Sequence, residues 1–204
     1  MNIATLPART RKARGQGASR RAEILDAAKR LFLEEGFEQA TMRRIAAAVG
    51  VSPTALYVYF PDKNAILQAI AEIMFTELLA VHAETQQREG TPLERLRAGL
   101  HAYIDLGLAR PDEYRLTFST VRTSQACKDI AAADQSFDML EQGVADVMAA
   151  GLFARRDTTL VAEGLWATMH GLVVLLLDHP EHIVSDHHVL IDTLVDAAIH
   201  GFSA

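Results

Sequence analysis

Residues 41–63 read TMRRIAAAVGVSPTALYVYFPDK, a short stretch crowded with hydroxyl and cationic side chains. The hydroxyls of Thr41, Ser52, Thr54, Tyr57 and Tyr59 suit phosphate oxygens, and small apolar groups such as Pro53 and Val58 suit thymine methyls. Arg43 and Arg44 sharpen that reading. They fall in the first turn of an expected helix, where the positive dipole end disfavours a cation by roughly a few tenths of a kcal/mol. Nearby phosphates would reverse the sign.

Two other groups of residues invite chemistry. His179, His182, His187 and His188 share a segment with Asp178, Glu181 and Asp186, and imidazole with carboxylate suits zinc or nickel. Their spacing follows no zinc-site pattern, so the segment reads as a polar connection between helices and no metal is assigned. Trp166, with His170 at i+4 and Gly171 after it, stacks an indole and an imidazole on one helix face. His170 is either a ligand anchor inside the domain or a core histidine satisfied by the fold. The chain has no Gly-x-Ser-x-Gly elbow, His-Glu-x-x-His helix or phosphate loop.

The elements that must position these side chains are helices. Met42, Ile45, Ala46 and Val49 fall at i, i+3, i+4 and i+7, one face of a short helix with Thr41 at its N-cap. Gly50 breaks that helix. Ser52 caps a second with Pro53 at its first position, Leu56 and Phe60 face inward, and Pro61 prevents continuation. Two short helices joined by a glycine-containing turn make a helix-turn-helix.

Thr41, Arg43, Ile45, Ala46, Gly50, Val51, Ser52, Leu56, Tyr57, Phe60, Lys63 and Leu67 follow, without a gap, the pattern of the tetracycline-repressor (TetR) family, which this segment resembles. The upstream run Arg21, Ile24, Leu25, Ala27, Ala28, Leu31, Phe32, Gly36 and Phe37 resembles the first helix of that family. The resemblance implies base reading by Arg43, recognition-helix positions at Pro53 and Thr54, and backbone clamping by Thr41, Tyr57, Tyr59 and Lys63. It departs from the family at Ala55, where a phosphate-binding Thr is common, at Val58, a frequent Arg or Trp, and at Arg44, a frequent acidic residue. Trp166, His170 and Gly171 resemble the family's Trp-His-Gly type of C-terminal domain.

Charge divides the chain in the same place. Residues 1–63 hold eleven Lys/Arg against six Asp/Glu, a net +5, and residues 64–204 hold nine against twenty, a net −11; together they give the overall −6. A polyanion is attracted to the smaller part and repelled by the larger, which orients the molecule on double-stranded DNA. Arg9, Arg11, Lys12 and Arg14 form a basic arm with little to bury. The single cysteine, Cys127, excludes internal disulfides and multi-cysteine metal motifs. The longest apolar run, residues 164–177, is short of the ~20 residues a bilayer span needs, and the N-terminus lacks a secretory core, so the expected location is cytoplasmic with no membrane partner.

Downstream, Ser19 is expected to open the first long helix and Gly36 to close it. Asp62 caps a long helix to about Arg88 with the stripe Leu67, Ile70, Met74, Leu78 and Val81. Thr91-Pro92-Leu93-Glu94 is a capping box that starts the next helix, with Leu93, Leu96, Leu100, Tyr103 and Gly107 inward. Pro111 interrupts, and a shorter helix carries Tyr114, Phe118 and Val121. After a polar segment at 123–128, Ile130, Ala133, Phe137, Leu140, Val144, Val147 and Gly151 form a regular stripe. Asp157 caps the following helix, Pro180 stops it, and Ser185 is the expected cap of a last helix through Leu190, Leu194, Ala198 and Phe202.

The expected fold is all-α: about nine helices, with a flexible basic arm at 1–18, a three-helix helix-turn-helix DNA-binding domain at 19–63, and a ligand-binding and dimerisation bundle at 64–204. Apolar residues on several sides of the last two helices predict a two-fold interface through Leu165, Leu172, Val173, Leu176, Leu190, Leu194 and Ala198, giving a homodimer. A cavity among the middle helices is expected to use Met74, Leu78, Leu100, Tyr103, Ile104, Phe118, Leu140, Val144 and Trp166 as walls or simply as core. His82, His101, Tyr114 and His170 are its candidate polar anchors. The function expected is a DNA-binding regulator released from a palindromic operator by a neutral or cationic hydrophobic effector, without a cofactor. The alternative is an all-helical metal-binding or hydrolytic enzyme with an incidental helix-turn-helix.

Overall fold

A computed structural model describes residues 15–120 and 130–203. Arg9, Arg11, Lys12 and Arg14 of the basic arm, Val121, and the polar segment 123–128 with Cys127 lie outside the described residues. Among the described residues the backbone is helical, with one isolated bridge between Phe153 and Ser203 and no strand. The chain divides into two compact units, Met1–Ile66 and Leu67–Ala204.

The first unit contains α1 (Gly15–Glu35), α2 (Met42–Val49) and α3 (Pro53–Tyr57). Helix α1 starts upstream of Ser19, whose hydroxyl instead donates to Glu23 one turn on, 3.2 Å away. Its inner face buries Ile24, Leu25, Ala28 and Phe32, as α2 buries Ile45 and Ala46 and the α3 segment buries Leu56 and Phe60, with α2 packed on both α1 and α3. Both short helices are set by their caps. Thr41 Oγ1 accepts the Arg44 N–H at 3.3 Å, and Ser52 Oγ accepts the Ala55 N–H at 3.1 Å. Each satisfies a backbone donor that helix geometry leaves open, a contribution of about 1 kcal/mol. Gly50 ends α2 at φ 72, in the left-handed region where a side chain is strained.

Lys63 ties the start of the next helix to the connection after α1. Its ammonium donates to the carbonyls of Phe37 (2.8 Å) and Glu38 (3.1 Å) and sits 4.5 Å from the centre of the Phe37 ring. The charge therefore satisfies carbonyls of the connection after α1.

The second unit is a bundle of α4 (Lys63–Gln86, which begins in the first unit), α5 (Pro92–Ala109), α6 (Pro111–Arg115), α7 (Ala131–Ala149), α8 (Thr158–Asp178) and α9 (His187–His200). Thr91 and Glu94 form the expected reciprocal capping box on α5. Asp157 caps α8 by accepting the Thr159 and Leu160 N–H groups at 2.9 and 3.3 Å. On α9 the cap is Asp186, not Ser185: its carboxylate accepts from His188 and Val189 at 2.9 and 3.1 Å. A carboxylate at this position satisfies the open donors and also complements the helix dipole.

Gly107 of α5 leaves room for α8 and α6: an added Cβ there would lie 2.8 Å from Val173 Cγ1 and 3.0 Å from the Tyr114 ring. The core gathers there: Leu100 and Ile104 meet Val144, Leu165, Met169 and Val173, and α9 adds Ile191, Val195 and Ile199. Four residues expected at a subunit interface, Leu165, Leu172, Val173 and Leu176, are thus core of their own subunit, at most 6% exposed. They face inward because α8 packs on α5, α7 and α9 at once. Leu190, Leu194 and Ala198 are half-buried against the same core.

Helices α4 and α8 are long and apolar enough to cross a membrane by length and composition, with mean hydropathy 1.5 and 1.8. Both helices carry core residues of this bundle, including Met74 and Leu78 on α4 and Leu165 and Met169 on α8.

Candidate nucleic-acid interface and ligand cavity

Packing Leu56 and Phe60 inward leaves the other sides of α3 open: Pro53, Thr54, Tyr57 and Val58 are exposed, Val58 by 81%. Ser52 is exposed but spends its oxygen on the cap, and Tyr59 is half-buried beside the turn. The two arginines of α2 divide. Arg44 is ion-paired with Glu35 of α1, which supplies the anion its place at a helix start demands. Arg43 is exposed and makes no ion pair among the described residues. A guanidinium held on a capped helix beside exposed hydroxyls can donate to a base edge or a phosphate without first breaking an internal bond.

The second unit holds a cavity of about 400 Å³ that opens to solvent. Aromatic walls come from Phe75 on α4, Tyr103 on α5, Phe137 on α7 and Trp166 on α8, and aliphatic ones from Leu78 and Leu140. Phe118 completes the wall from a π-helical turn at Leu116–Thr120 that continues α6. Such turns occur often at functional sites because they re-aim a side chain. Of the expected lining, Leu78, His82, Tyr103, Phe118, Leu140 and Trp166 are placed at the cavity. Met74, Leu100, Ile104 and Val144 are buried core instead. His101 faces the other way, its Nε2 3.6 Å from Asp192 on α9, so it is no anchor.

Beside the cavity lies a hydrogen-bonded aromatic network. Trp166 Nε1–H donates to the Tyr103 hydroxyl (3.3 Å), Tyr103 lies 2.9 Å from the Tyr114 hydroxyl, and Tyr114 lies 2.6 Å from His170 Nδ1. One assignment is consistent with all three contacts: Tyr103 donates to Tyr114, Tyr114 donates to Nδ1, and His170 carries its proton on Nε2. Burial pushes the Tyr103 hydroxyl up to about 12 and raises Tyr114 further, so both remain protonated donors. Burial also lowers the His170 and His82 imidazoles below their ordinary value, keeping them neutral. His170 is thus the satisfied histidine of the two readings, stacked 5.6 Å from the Tyr114 ring.

The sign of the resulting pH dependence follows directly. Below about pH 6.5 the unfolded chain binds protons at these imidazoles and the folded chain resists, so stability is lost as pH falls towards their lowered values. The melting temperature should therefore drop between pH 7.5 and 5.5, and drop less in His170→Asn, which retains an acceptor for Tyr114. Identical pH slopes in the two proteins would remove His170 from the account.

Sequence reasoning missed Phe75, Phe137, Ala133, Ser136, Asp134 and Glu163 at the cavity. Phe137 and Ala133 were on the expected α7 stripe, but the carboxylates Asp134 and Glu163 carried no signal beyond their position next to apolar faces. Elsewhere, His179, Glu181 and His182 bring ligand atoms within 4.8 Å of one another on the exposed turn Pro180–His182. His187 and His188 belong to the first turn of α9 and are not part of that group.

Residues 24–70 match the family described as bacterial regulatory proteins, tetR family, and residues 96–198 match the tetracyclin repressor-like C-terminal domain. The HTH-type transcriptional repressor Rv1474c of Mycobacterium tuberculosis is 40% identical over 97 residues, 48% of this chain and 45% of that protein. The nucleoid occlusion factor SlmA of Haemophilus influenzae is 29% identical over 118 residues, 58% of this chain and 54% of that protein. The chain thus spans about half the length of these curated relatives. A TetR family transcription regulator from Marinobacter aquaeolei VT8 superimposes with a TM-score of 0.75 over 94% of this chain and 99% of that one, at 23% identity, a likeness of fold. With one family description covering the helix-turn-helix and the other the larger bundle, the chain belongs to the tetR family of bacterial regulatory proteins.

Proposed function

We propose that the protein is a cytoplasmic, DNA-binding transcriptional regulator: a homodimeric repressor released from a palindromic operator by a small hydrophobic ligand, neutral or cationic. The observation that carries this reading is the open surface of two side-chain-capped helices, with Arg43 exposed on α2 and Pro53, Thr54 and Tyr57 exposed on α3. The basic residues ahead of α1 act as an arm, α1 through residue 63 as the DNA-binding domain, and 64–204 as the ligand-binding and dimerisation domain; the arm expected at 1–18 is shortened because Gly15 already opens α1. The cavity among α4, α5, α7 and α8 has the volume and apolar lining of a small-molecule site.

Release requires only that the ligand favour one of two states. Half-sites in B-DNA lie ~34 Å apart per turn, and a dimer displaced from that spacing cannot seat both recognition helices. An affinity ratio of about 100 between the states, about 2.7 kcal/mol, suppresses occupancy substantially. Helix α4 carries the link: Lys63 belongs to the DNA-binding side, and Phe75, Leu78 and His82 line the cavity.

The test is footprinting of the purified protein on DNA upstream of its own coding sequence. A protected palindrome whose affinity falls steeply with salt is expected. Metal-dependent turnover with no protected site would favour the enzyme alternative, which the family membership already disfavours.

A further inference from the structure

We propose that the cavity of the second unit selects an organic cation with an apolar body, and that Asp134 and Glu163 are the residues that set this preference. The inference rests on reading that cavity as the effector site. Its walls hold five aromatic rings, from Phe75, Tyr103, Phe118, Phe137 and Trp166, whose faces attract cations. Its polar groups decide the charge. Tyr103 and Trp166 are committed to each other and to Tyr114. The Ser136 hydroxyl donates to the Ala132 carbonyl at 2.7 Å. That leaves His82 and the two carboxylates, and His82 is held neutral by burial. Among the described lining residues there is no lysine or arginine.

Asp134 stands in the first turn of α7 and Glu163 on α8, so the carboxylates reach the cavity from different helices. Neither forms an ion pair with a described residue. An anionic ligand such as a fatty acid would bring a third negative charge to this space. A neutral one would gain nothing from the two carboxylates, whereas a cation gains the attraction of both. Both side chains are exposed at the rim, so an ammonium head there keeps partial hydration while its apolar part enters the aromatic walls.

The test uses three probes with one apolar body: decyltrimethylammonium, decanol and decanoate, each below its micellar concentration, titrated calorimetrically into the full-length protein. The expected result is that the cation binds at least tenfold more tightly than decanoate. The double variant Asp134→Asn, Glu163→Gln should lose about tenfold in affinity for the cation and leave decanol unchanged, which also reports that the cavity is intact. Equal or tighter binding of decanoate, or a cation preference that survives the double variant, would overturn the assignment. Operator release by all three probes alike would keep the effector-site reading and overturn the charge selection. Cation-selective binding that leaves DNA affinity untouched would do the reverse. No binding of any probe overturns both.

Discussion

Arg43→Ala should weaken operator binding by about 1–3 kcal/mol per half-site and relax the preference at one base pair, while binding to random DNA changes much less. The expectation comes from what each nearby cation is already doing. Arg44 is neutralised by Glu35, and Lys63 is bound to the carbonyls of Phe37 and Glu38. Arg43 alone of the three makes no such contact with a described residue, although the helix start it occupies is electrostatically unfavourable for it. Lys63→Ala provides the contrast. It removes donors from two backbone carbonyls and a cation from the Phe37 ring, so it should lower the thermal stability of the DNA-binding unit and reduce affinity for all sequences together. Titrations of both variants against operator and scrambled duplexes, paired with melting curves, separate the roles. Parallel losses by Arg43→Ala on both duplexes would show that it reads phosphate and not sequence.

The sequence was informative wherever the governing physics is local. The caps at Thr41, Ser52, Thr91 and Asp157 each depend on a side chain and a backbone donor two or three residues away, and each forms where the residue types predict it. Partners that meet only through the fold were not legible: nothing in the spacing of Glu35 and Arg44, or of Phe37 and Lys63, announces their contact. Periodicity also cannot choose between adjacent stripes. On α9 both Leu190–Leu194–Ala198 and Ile191–Val195–Ile199 recur every four residues, and packing buries the second set completely and the first only in part. The α7 stripe is continuous in sequence, yet Val144 and Val147 enter the core while Phe137 and Leu140 line open space. What separates them is whether a neighbouring helix fills the facing volume, which is a property of the whole bundle.

The same ambiguity on α8 yields the sharpest test of the proposed dimer. Leu175 and Leu176 are neighbours of identical type, but Leu175 is 45% exposed and Leu176 only 6%. With Leu175, an outward strip runs through Gly171, Ala167 and Leu160, the last 60% exposed. An added Cβ at Gly171 would meet nothing within 4 Å in its own subunit, so a second backbone can approach there. Helix α9, packed beside α8, adds exposed Val189, Thr193 and Ala197 at helical spacing. An isologous pairing of two such surfaces would cover them both and place two recognition helices on one operator. Leu175→Glu should therefore give a folded monomer at micromolar concentration with a nearly unchanged melting curve. Operator affinity should fall by about 10²–10⁴-fold, because the second half-site is no longer tethered to the first. Leu176→Glu should behave differently, since it places a carboxylate without a partner in the subunit core and costs several kcal/mol, so misfolding or aggregation is expected. Light scattering and circular dichroism on the two variants decide the matter. A Leu175→Glu protein that stays dimeric would move the interface away from this face of α8, and a well-folded Leu176→Glu monomer would return it to the side now assigned to the core.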